Sequence, residues 1–585
     1  MRTNRLTIVV GGEAGQGVES NGAGLAKAFT RSGLYVNAFS DFMSRIRGGY
    51  NFYQVRTADE SLYSHTDEID LLLAFNEDAV VIHRDKITPG GGVIYDQALK
   101  IDADDLTRRG LKPFAVPLVK IAEEHGSRIM MNMAALGVAG GLVAFPFDHM
   151  ATVIEQNFRR KGATVVDANL RVARTAYDYA ADHWAADFEW RLPGVPNQPM
   201  RILPNGNQAI GMGAIAGGCR FISGYPMTPA TSILEYLTAQ SNRYGIVTKQ
   251  MEDEISACLM AIGANHAGAR AMTATSGGGF CLMVEALGLA GCAETPLVIV
   301  LAQRGGPSTG LPTRTEQPDL EFAIHASHGE FPRIIIAPGT IEQCFEAGWR
   351  AFNLAEKYQC PVIVMTDLFQ AFAIRSVDVD AIDFSSVAID RGALMTKEEV
   401  DALTGPYNRY EVTESGISPR AVPGHPKAVY VAVGDEHTVD GHITEDVDIR
   451  NAQMEKRMRK LEAAVEEMRP PEKYGVDDAD ITLACWGSLY GPVREAVNRL
   501  NRDGIPANML HFVDLWPFPE AKVTPLVKAA RRLIVVEQNF TGQLANLIAL
   551  HTGRRADRKI NKYDGRQISP EEIVAKIKSE VAVHV

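Results

Sequence analysis

Leu6-Thr-Ile-Val-Val10 runs directly into Gly11-Gly-Glu-Ala-Gly-Gln-Gly17, and a helical stretch carrying Val18, Ala23, Leu25, Ala26 and Phe29 follows to about Ser32. A short apolar run that ends in glycines and resumes at helical spacing reads as strand, turn and helix. Further apolar strands at Leu34–Phe39, Leu71–Phe75 and Gly92–Tyr95 alternate with Ala-rich helices near 130–144 and 168–182. Strands alternating with helices predict a parallel sheet covered on both faces, so residues 1–190 are expected to form an α/β domain.

The same alternation recurs downstream. Four prolines (193, 196, 199 and 204) mark a linker over 191–207. A second β/α unit spans 208–380, with Leu297–Ala302 and Pro361–Thr366 as continuous apolar strands of the kind a buried parallel sheet requires. The stretch 381–475 is less regular and holds one strong signal. Met454, Met458, Leu461, Val465 and Met468 form an apolar stripe on a helix over 451–469 that Pro470-Pro471 ends, and the helix is expected to dock through it. A last unit, 476–585, has strands Ile481–Trp486, Ala507–Phe512 and Leu533–Glu537 and a helix over 491–503. The fold class is α/β, with several parallel-sheet domains.

Composition narrows the function. The chain has 585 residues, 46% hydrophobic and 22% charged, which excludes a disordered polymer. Its net charge of −12 argues against nucleic acid or an anionic membrane as partner. No apolar stretch approaches the roughly 18–20 residues that cross a bilayer, and Leu6–Val10 is too short for a signal sequence, so a cytoplasmic protein is expected. The seven cysteines stand singly with no C-x-x-C, which excludes a disulfide framework, a zinc site and a self-contained iron–sulfur site. The histidines form no H-x-x-x-H or H-E-x-x-H pattern, and no metal site follows from spacing. There is neither a G-x-S-x-G elbow nor a Walker loop.

Six segments carry candidate chemistry. The Gly11–Gly17 loop presents backbone N–H groups at a helix start, where an anion is favoured. Its spacing is not G-x-G-x-x-G, and no ribose-binding acid is clear unless Asp41 serves. A structural turn, a phosphate-bearing ligand or a subunit contact all remain open. Ser44-Arg-Ile-Arg-Gly-Gly49 sets two guanidinium groups beside a flexible glycine pair, suited to phosphate or simply to a solvated turn. In Ser223-Gly-Tyr-Pro-Met-Thr-Pro-Ala-Thr-Ser232 two prolines hold the Thr228 hydroxyl at the end of an apolar strand, where open α/β sheets bind ligands; a proline-rich helix cap is the plainer reading. Gln250-Met-Glu-Asp-Glu-Ile255 precedes a small-residue helix, and acids there ordinarily complement the helix dipole. Thr273-Ala-Thr-Ser-Gly-Gly-Gly-Phe280 and the Arg304–Gln317 loop both follow apolar runs. Arg304 emerges at a strand's carboxyl end, placed to hold a carboxylate or a structural ion pair.

Taken in order, these segments resemble the 2-oxoacid:ferredoxin oxidoreductases, specifically an α subunit with a γ-type domain fused at its N-terminus. The matching pieces are 11–17, 44–49, Tyr225-Pro-Met-Thr-Pro229, Gln250–Ile255, Thr273–Phe280 and Gln303–Thr313. The resemblance implies a γ-type domain over 1–190, a thiamine diphosphate pyrimidine-binding domain over 208–380 and a transketolase C-terminal-type domain over 476–585. It implies decarboxylation of a 2-oxoacid with the cofactor as electron sink, single electrons leaving through an iron–sulfur cluster to ferredoxin, and coenzyme A accepting the acyl group.

Carried over residue by residue, the family's cofactor-contacting glutamate is Glu254, with Glu252 as alternative if the register slips by two. Tyr225, Pro226, Ser276 and Gly277 would also contact the cofactor. Thr228 and Arg304 are expected to bind the substrate carboxylate, with Thr313 lining the same pocket; Met227 replaces the family's Ile. Gly15, Gly17, Ser44, Arg45 and Arg47 are expected near coenzyme A or a partner subunit.

The chain lacks the family's Gly-Asp-Gly…Asn magnesium–diphosphate motif and a cysteine cluster. The resemblance therefore places Mg2+ and a [4Fe-4S] cluster on a β subunit, in an (αβ)2 heterotetramer, and expects this chain to be inactive alone. A γ–α fusion with these loops resembles the 2-oxoglutarate enzymes more than those acting on pyruvate or branched-chain 2-oxoacids. An NAD-dependent dehydrogenase fails on glycine spacing. A non-catalytic scaffold subunit is the remaining alternative, against which Glu254, Thr228 and Arg304 stand together.

Overall fold

A computed structural model describes residues 1–44 and 48–581, and the chain divides into two compact units. Unit 1 comprises Met1–Pro204, Phe372–Ile382 and Ser569–Glu572, and unit 2 comprises the rest. Among the described residues no helix is long and apolar enough to cross a membrane.

In unit 1 the opening strand extends over Leu6–Glu13 and is buried to Gly12. Seven strands form its sheet, in the order Ile374–Arg375, Tyr35–Asp41, Tyr50–Ala58, Leu6–Glu13, Ile69–Ala74, Ile87–Asp96 and Lys112–Val116. From Leu6–Glu13 onward the pairs are parallel, as expected. On the other side they are antiparallel, so the sheet is mixed. The strand responsible is Tyr50–Ala58, which the sequence reading passed over; it pairs with the first strand from Leu6↔Thr57 to Glu13↔Tyr50. Its polar Asn51, Gln54 and Arg56 broke the apolar run that marked the other strands. Ile374–Arg375 closes the sheet edge by pairing with Ala38 and Asn37, which is why Phe372–Ile382 belongs to this unit.

Unit 2 holds two sheets. The larger runs Val247–Gln250, Phe221–Gly224, Ala271–Thr275, Leu297–Gln303, Pro361–Asp367, Ile334–Ile336 and Asp514–Trp516. All its pairs are parallel except the last. Leu297–Gln303 and Pro361–Asp367 are buried at every position, their apolar runs ending in polar Gln303 and in Thr366 and Asp367 at the carboxyl ends. Register pairs Ser223 with both Lys249 and Thr273, and Thr273 with Ile299. Parallel strands in this register send the loops after Gly224, Gln250, Thr275 and Gln303 out of the same carboxyl-end edge, where open α/β sheets take ligands. The smaller sheet runs Glu472–Gly475, Ala507–Phe512, Ile481–Trp486, Leu533–Glu537 and Arg558–Asn561.

The helix read over 451–469 runs from Val447 to Glu467, and it does not dock through its methionine stripe. Its buried side chains are Gln453, Lys456, Arg457, Lys460 and Ala464; Met454, Met458, Leu461 and Val465 are half-buried, and only Met468, past the helix end, is fully covered. Lys456 and Lys460 both reach the buried carboxylate of Glu294, Lys456 at 2.6 Å, and Arg457 binds Glu436 at 2.7 Å. Ion pairing thus reverses the face that hydrophobicity alone selects.

Candidate functional site

Glu254 is the first residue of the helix Glu254–His266, and it is not needed to cap it. Asp253 does that, its side chain accepting from Ser256 N at 2.7 Å within a capping box. Glu254 is 4% exposed and its Oε1 has no hydrogen-bond partner. Glu252 is exposed.

Facing Glu254 is the first turn of the helix Gly277–Cys292. A Cβ on Gly279 would collide with Thr275 Oγ1 and lie 2.7 Å from Glu254 Oε1, so only glycine lets this turn approach the carboxylate. Ser276 occupies the N-cap position without capping, and its buried Oγ is also unpartnered. On the neighbouring position a Cβ on Gly277 would lie 2.7 Å from Asp319 Oδ2, a third buried oxygen with no partner. Buried polar atoms in folded proteins are nearly always hydrogen-bonded, so three unpaired oxygens around one turn are a binding constellation in want of N–H or O–H groups.

The aminopyrimidine end of thiamine diphosphate suits Glu254 and Ser276 in that set: it is flat and offers N–H groups to acceptors that have none, and the glycines at 277 and 279 let the turn lie close against the carboxylates. Glu254 Oε1 and Ser276 Oγ are the atoms that would hold it.

Arg304 leaves the end of the strand Leu297–Gln303 and donates from Nη1 to the Thr228 carbonyl at 2.8 Å, tying its loop to the Tyr225–Pro229 loop. Burial lowers its pKa somewhat, and it remains a cation at any physiological pH. Thr275 Oγ1 lies 3.9 Å from Met227 Sδ, which brings the same loop against Ser276. Thr228, Arg304, Ser276, Gly277 and Glu254 therefore converge at one sheet edge. Tyr225 and Pro226 are exposed on that loop, and Thr313 is half-buried on the turn after Gly305.

Two acids at this edge escaped the sequence reading. Burial pushes Asp319 up to about 7. Burial, then the charges of Asp319 and Asp564, raises Glu316 to about 7 as well. Pro318-Asp319-Leu320 reads from sequence as an ordinary helix start, so no local signal distinguished Asp319.

The remaining candidate residues belong to unit 1. Gly15 and Gly17 both have positive φ, and Gly17 serves as the left-handed N-cap of the helix Val18–Arg31, a conformation that favours glycine. Ser44 is exposed, and Arg45 and Arg47 lie outside the described residues.

Comparison with known proteins bears on both units. Residues 212–456 match the family model of the pyruvate flavodoxin/ferredoxin oxidoreductase thiamine diphosphate-binding domain. Residues 7–179 match the pyruvate ferredoxin/flavodoxin oxidoreductase model, and residues 479–573 match pyruvate:ferredoxin oxidoreductase core domain II. The α subunit of 2-oxoacid:ferredoxin oxidoreductase 2 from Aeropyrum pernix is 33% identical, over 98% of this chain and 97% of its own. The 2-oxoglutarate oxidoreductase subunit KorA of Mycobacterium tuberculosis is 28% identical over 94% of this chain and 87% of its own. Among solved structures, the 2-oxoglutarate:ferredoxin oxidoreductase from Magnetococcus marinus, with 2-oxoglutarate, coenzyme A and succinyl-CoA bound, superposes with a TM-score of 0.92 at 36% identity, covering 99% of this chain and 100% of that one.

Proposed function

The chain belongs to the 2-oxoacid:ferredoxin oxidoreductase family as an α-type subunit with a thiamine diphosphate-binding domain, and from that premise we propose that it interconverts 2-oxoglutarate and coenzyme A with succinyl-CoA and carbon dioxide. The observation that carries the site reading is the buried, unpartnered Oε1 of Glu254 beside the Gly277–Gly279 cradle. The substrate reading is supported by the full-length likeness to the Magnetococcus marinus protein, which holds 2-oxoglutarate, coenzyme A and succinyl-CoA.

Thiamine diphosphate, when bound, supplies the electron sink that decarboxylation of a 2-oxoacid needs. On this reading Glu254 accepts a hydrogen bond at Oε1 from the aminopyrimidine ring, so that the proton shared there can move during each turnover. The Glu254 pocket excludes water, which strengthens that bond. Arg304 and the Thr228 hydroxyl hold the substrate carboxylate, the guanidinium supplying a charge-assisted bond and its grip on the Thr228 carbonyl fixing the two loops relative to each other. Thr313 lines the same pocket, and Tyr225, Pro226, Ser276 and Gly277 adjoin the cofactor. We place Gly15, Gly17, Ser44, Arg45 and Arg47 at coenzyme A or a partner subunit. A β subunit would carry Mg2+ and the [4Fe-4S] cluster in an (αβ)2 heterotetramer, with ferredoxin as electron carrier. The domain reading is a γ-type domain over 1–190, a pyrimidine-type domain over 208–380 and a transketolase-type domain over 476–585.

A broader or different 2-oxoacid specificity is the second reading, favoured by the Aeropyrum pernix relative, named for 2-oxoacids without a particular one. Dye reduction by the native complex isolated through this chain, with coenzyme A, separates the two. Reduction with 2-oxoglutarate and not pyruvate is expected. Pyruvate turnover at an equal or higher rate would overturn the substrate assignment, and a complex without thiamine diphosphate would overturn the site assignment.

A further inference from the structure

We propose that Asp319 is a proton-exchange residue of this site, a carboxyl that trades protons with the Glu254 pocket and passes them to solvent through Glu316. The inference rests on the reading of Glu254 given above and adds two residues to it.

The geometry begins with a cap that is not made. Asp319 occupies the N-cap position of the helix Leu320–His325, where an aspartate ordinarily accepts a hydrogen bond from the helix's own first turn, yet its side chain makes no such bond. Its main chain is pinned instead. The Asp319 N–H donates to Gln303 Oε1 at 3.0 Å, and Gln303 Nε2 donates to the Thr366 carbonyl at 3.1 Å, so the residue is fixed at the end of the central strands. The freed carboxyl turns to Gly277, on the first turn of the helix whose Gly279 abuts Glu254. Two carboxyl groups thus flank one glycine turn, each with a buried oxygen that no protein group satisfies.

Glu316, three residues earlier, is half-buried and near enough to Asp319 for its charge to be felt. The ionisable groups that feel this pair are Glu316 itself, Asp564 beside it and the Cys281 thiol on the helix Gly277–Cys292, with Glu254 across the turn; the charges that raise Glu316 are those of Asp319 and Asp564, not a cation. Burial holds both carboxyls near 7, so each is present in both protonation forms at neutral pH, the condition for efficient proton transfer.

The reaction has a proton to deliver. A 2-oxoacid anion and a thiol yield a thioester, carbon dioxide, one proton and two electrons, and the electrons leave to the one-electron carrier of the family's reaction. Glu254 is too buried to release that proton to water directly. In the transfer proposed, the O–H bond of Asp319 breaks as one forms on the Glu316 carboxylate, and Glu316 then gives the proton to water. No electrons change hands in this step, and the reverse reaction runs it backwards.

The test uses the native complex isolated through this chain, carrying D319N, D319A, E316Q or E254Q. D319N, isosteric but unable to exchange a proton, is expected to lower kcat for coenzyme-A-dependent dye reduction by about tenfold or more, the size of a general acid–base contribution. Its KM for the 2-oxoacid should stay within about twofold and its thiamine diphosphate content unchanged, as a lost proton step leaves binding intact. Its kcat should lose the wild-type pH dependence near neutrality, E316Q should show a smaller loss, and formate or imidazole should restore part of the D319A rate. A readout independent of turnover is the melting temperature. Because burial raises the folded-state pKa of Asp319 from 3.8 to about 7, wild type should lose stability relative to D319N as pH rises from about 4 to 7, with no further change above that. Wild-type kcat and pH profile in D319N, a D319A loss that no small acid rescues, or a melting difference flat in pH would each overturn the proposal. An inactive E254Q beside an unimpaired D319N would sink Asp319 alone, whereas a fully active E254Q would sink both it and the reading of the site.

Discussion

Unit 2 buries carboxylates in two contrasting ways. Glu294 and Glu356 are buried with more cations than they have charges. Glu294 meets Lys456 and Lys460, and its carbonyl accepts from Arg409 at 2.7 Å. Glu356 meets Arg270 at 2.8 Å, Arg391 at 2.8 Å and Arg420 at 2.9 Å. Glu254 is buried and Asp319 half-buried, and among the described residues neither has an ion-pair partner while each has one buried oxygen left open. Burial opposes ionisation in both places, but at Glu294 the Lys460 and Lys456 ammoniums overcome it and hold the carboxylate well below its usual range. At Asp319 nothing does, and the carboxyl is driven up. The saturated acids tie the segment after Ile382, which supplies Arg391, Arg409, Arg420, Lys456 and Lys460, to the body of the unit. The unsaturated ones sit at the sheet edge where ligands bind. On the function proposed above, Glu294 and Glu356 serve the architecture and Glu254 and Asp319 the site.

The sharpest way to break this contrast is to neutralise one acid of each kind. Glu254→Gln is expected to lower kcat by about 10²–10⁴-fold, the range for loss of a positioned acid–base group. Its melting temperature should hold or rise, because a buried carboxylate with an open oxygen is replaced by a neutral amide. Turnover and differential scanning calorimetry on the same preparation check both halves, and a destabilised but active variant would invert the assignment.

Glu294→Gln should do the opposite. It strands two fully buried ammoniums and is expected to cost about 3–5 kcal/mol, read as a lower urea midpoint, with kcat of the folded fraction unchanged. The pH dependence follows from the sign of the shift. Glu294 has a folded-state pKa depressed below the ordinary 4.5, so its contribution is complete above that value and is lost as pH falls below it. Wild type should therefore show an acid limb in stability that Glu294→Gln lacks.

A third substitution concerns the substrate side of the open site. Arg304→Lys keeps the charge but loses the planar fork that grips the Thr228 carbonyl, and charge-assisted bonds of this kind are worth about 1.5–3 kcal/mol. The expected result is a rise of about 10- to 100-fold in KM for the 2-oxoacid with a smaller change in kcat. Steady-state kinetics with coenzyme A saturating is the measurement.

The contrast also explains what was legible in the sequence. Strands with long unbroken apolar runs, Leu297 to Ala302 and Pro361 to Met365, announced themselves because a parallel sheet covered on both faces leaves little place for polar side chains before the strand's carboxyl end. Tyr50–Ala58 did not, since a strand carrying Asn51, Gln54 and Arg56 looks like loop until its partners are known. Glu254 could be picked out by the motif around it and Arg304 by its place after a strand. Asp319 could not, because its role depends on turning away from a cap that its sequence position favours. The helix Val447–Glu467 misled for the same reason. A stripe of methionines is visible to periodicity, whereas Lys456 and Lys460 look like a solvated face until Glu294, more than 160 residues earlier, is placed beneath them.

That helix supplies the finest test, because two of its arginines, of different burial, share one carboxylate outside it. Glu436 binds Arg457, whose side chain is 3% exposed, and also Arg450, which is 52% exposed. If burial sets what an ion pair is worth, the two deletions must differ although the partner is shared. Arg450→Ala should change stability by no more than about 1 kcal/mol, since an exposed arginine regains in water most of what it loses. Arg457→Ala removes two charge-assisted bonds, at 2.7 and 3.0 Å, together with a buried stem, and should cost about 2–3 kcal/mol. High salt should shrink the first effect and leave most of the second, because screening acts on charges in contact with solvent. Equal costs for the two, measured by urea unfolding at low and high ionic strength, would mean that the network acts as one unit and that burial does not separate its members.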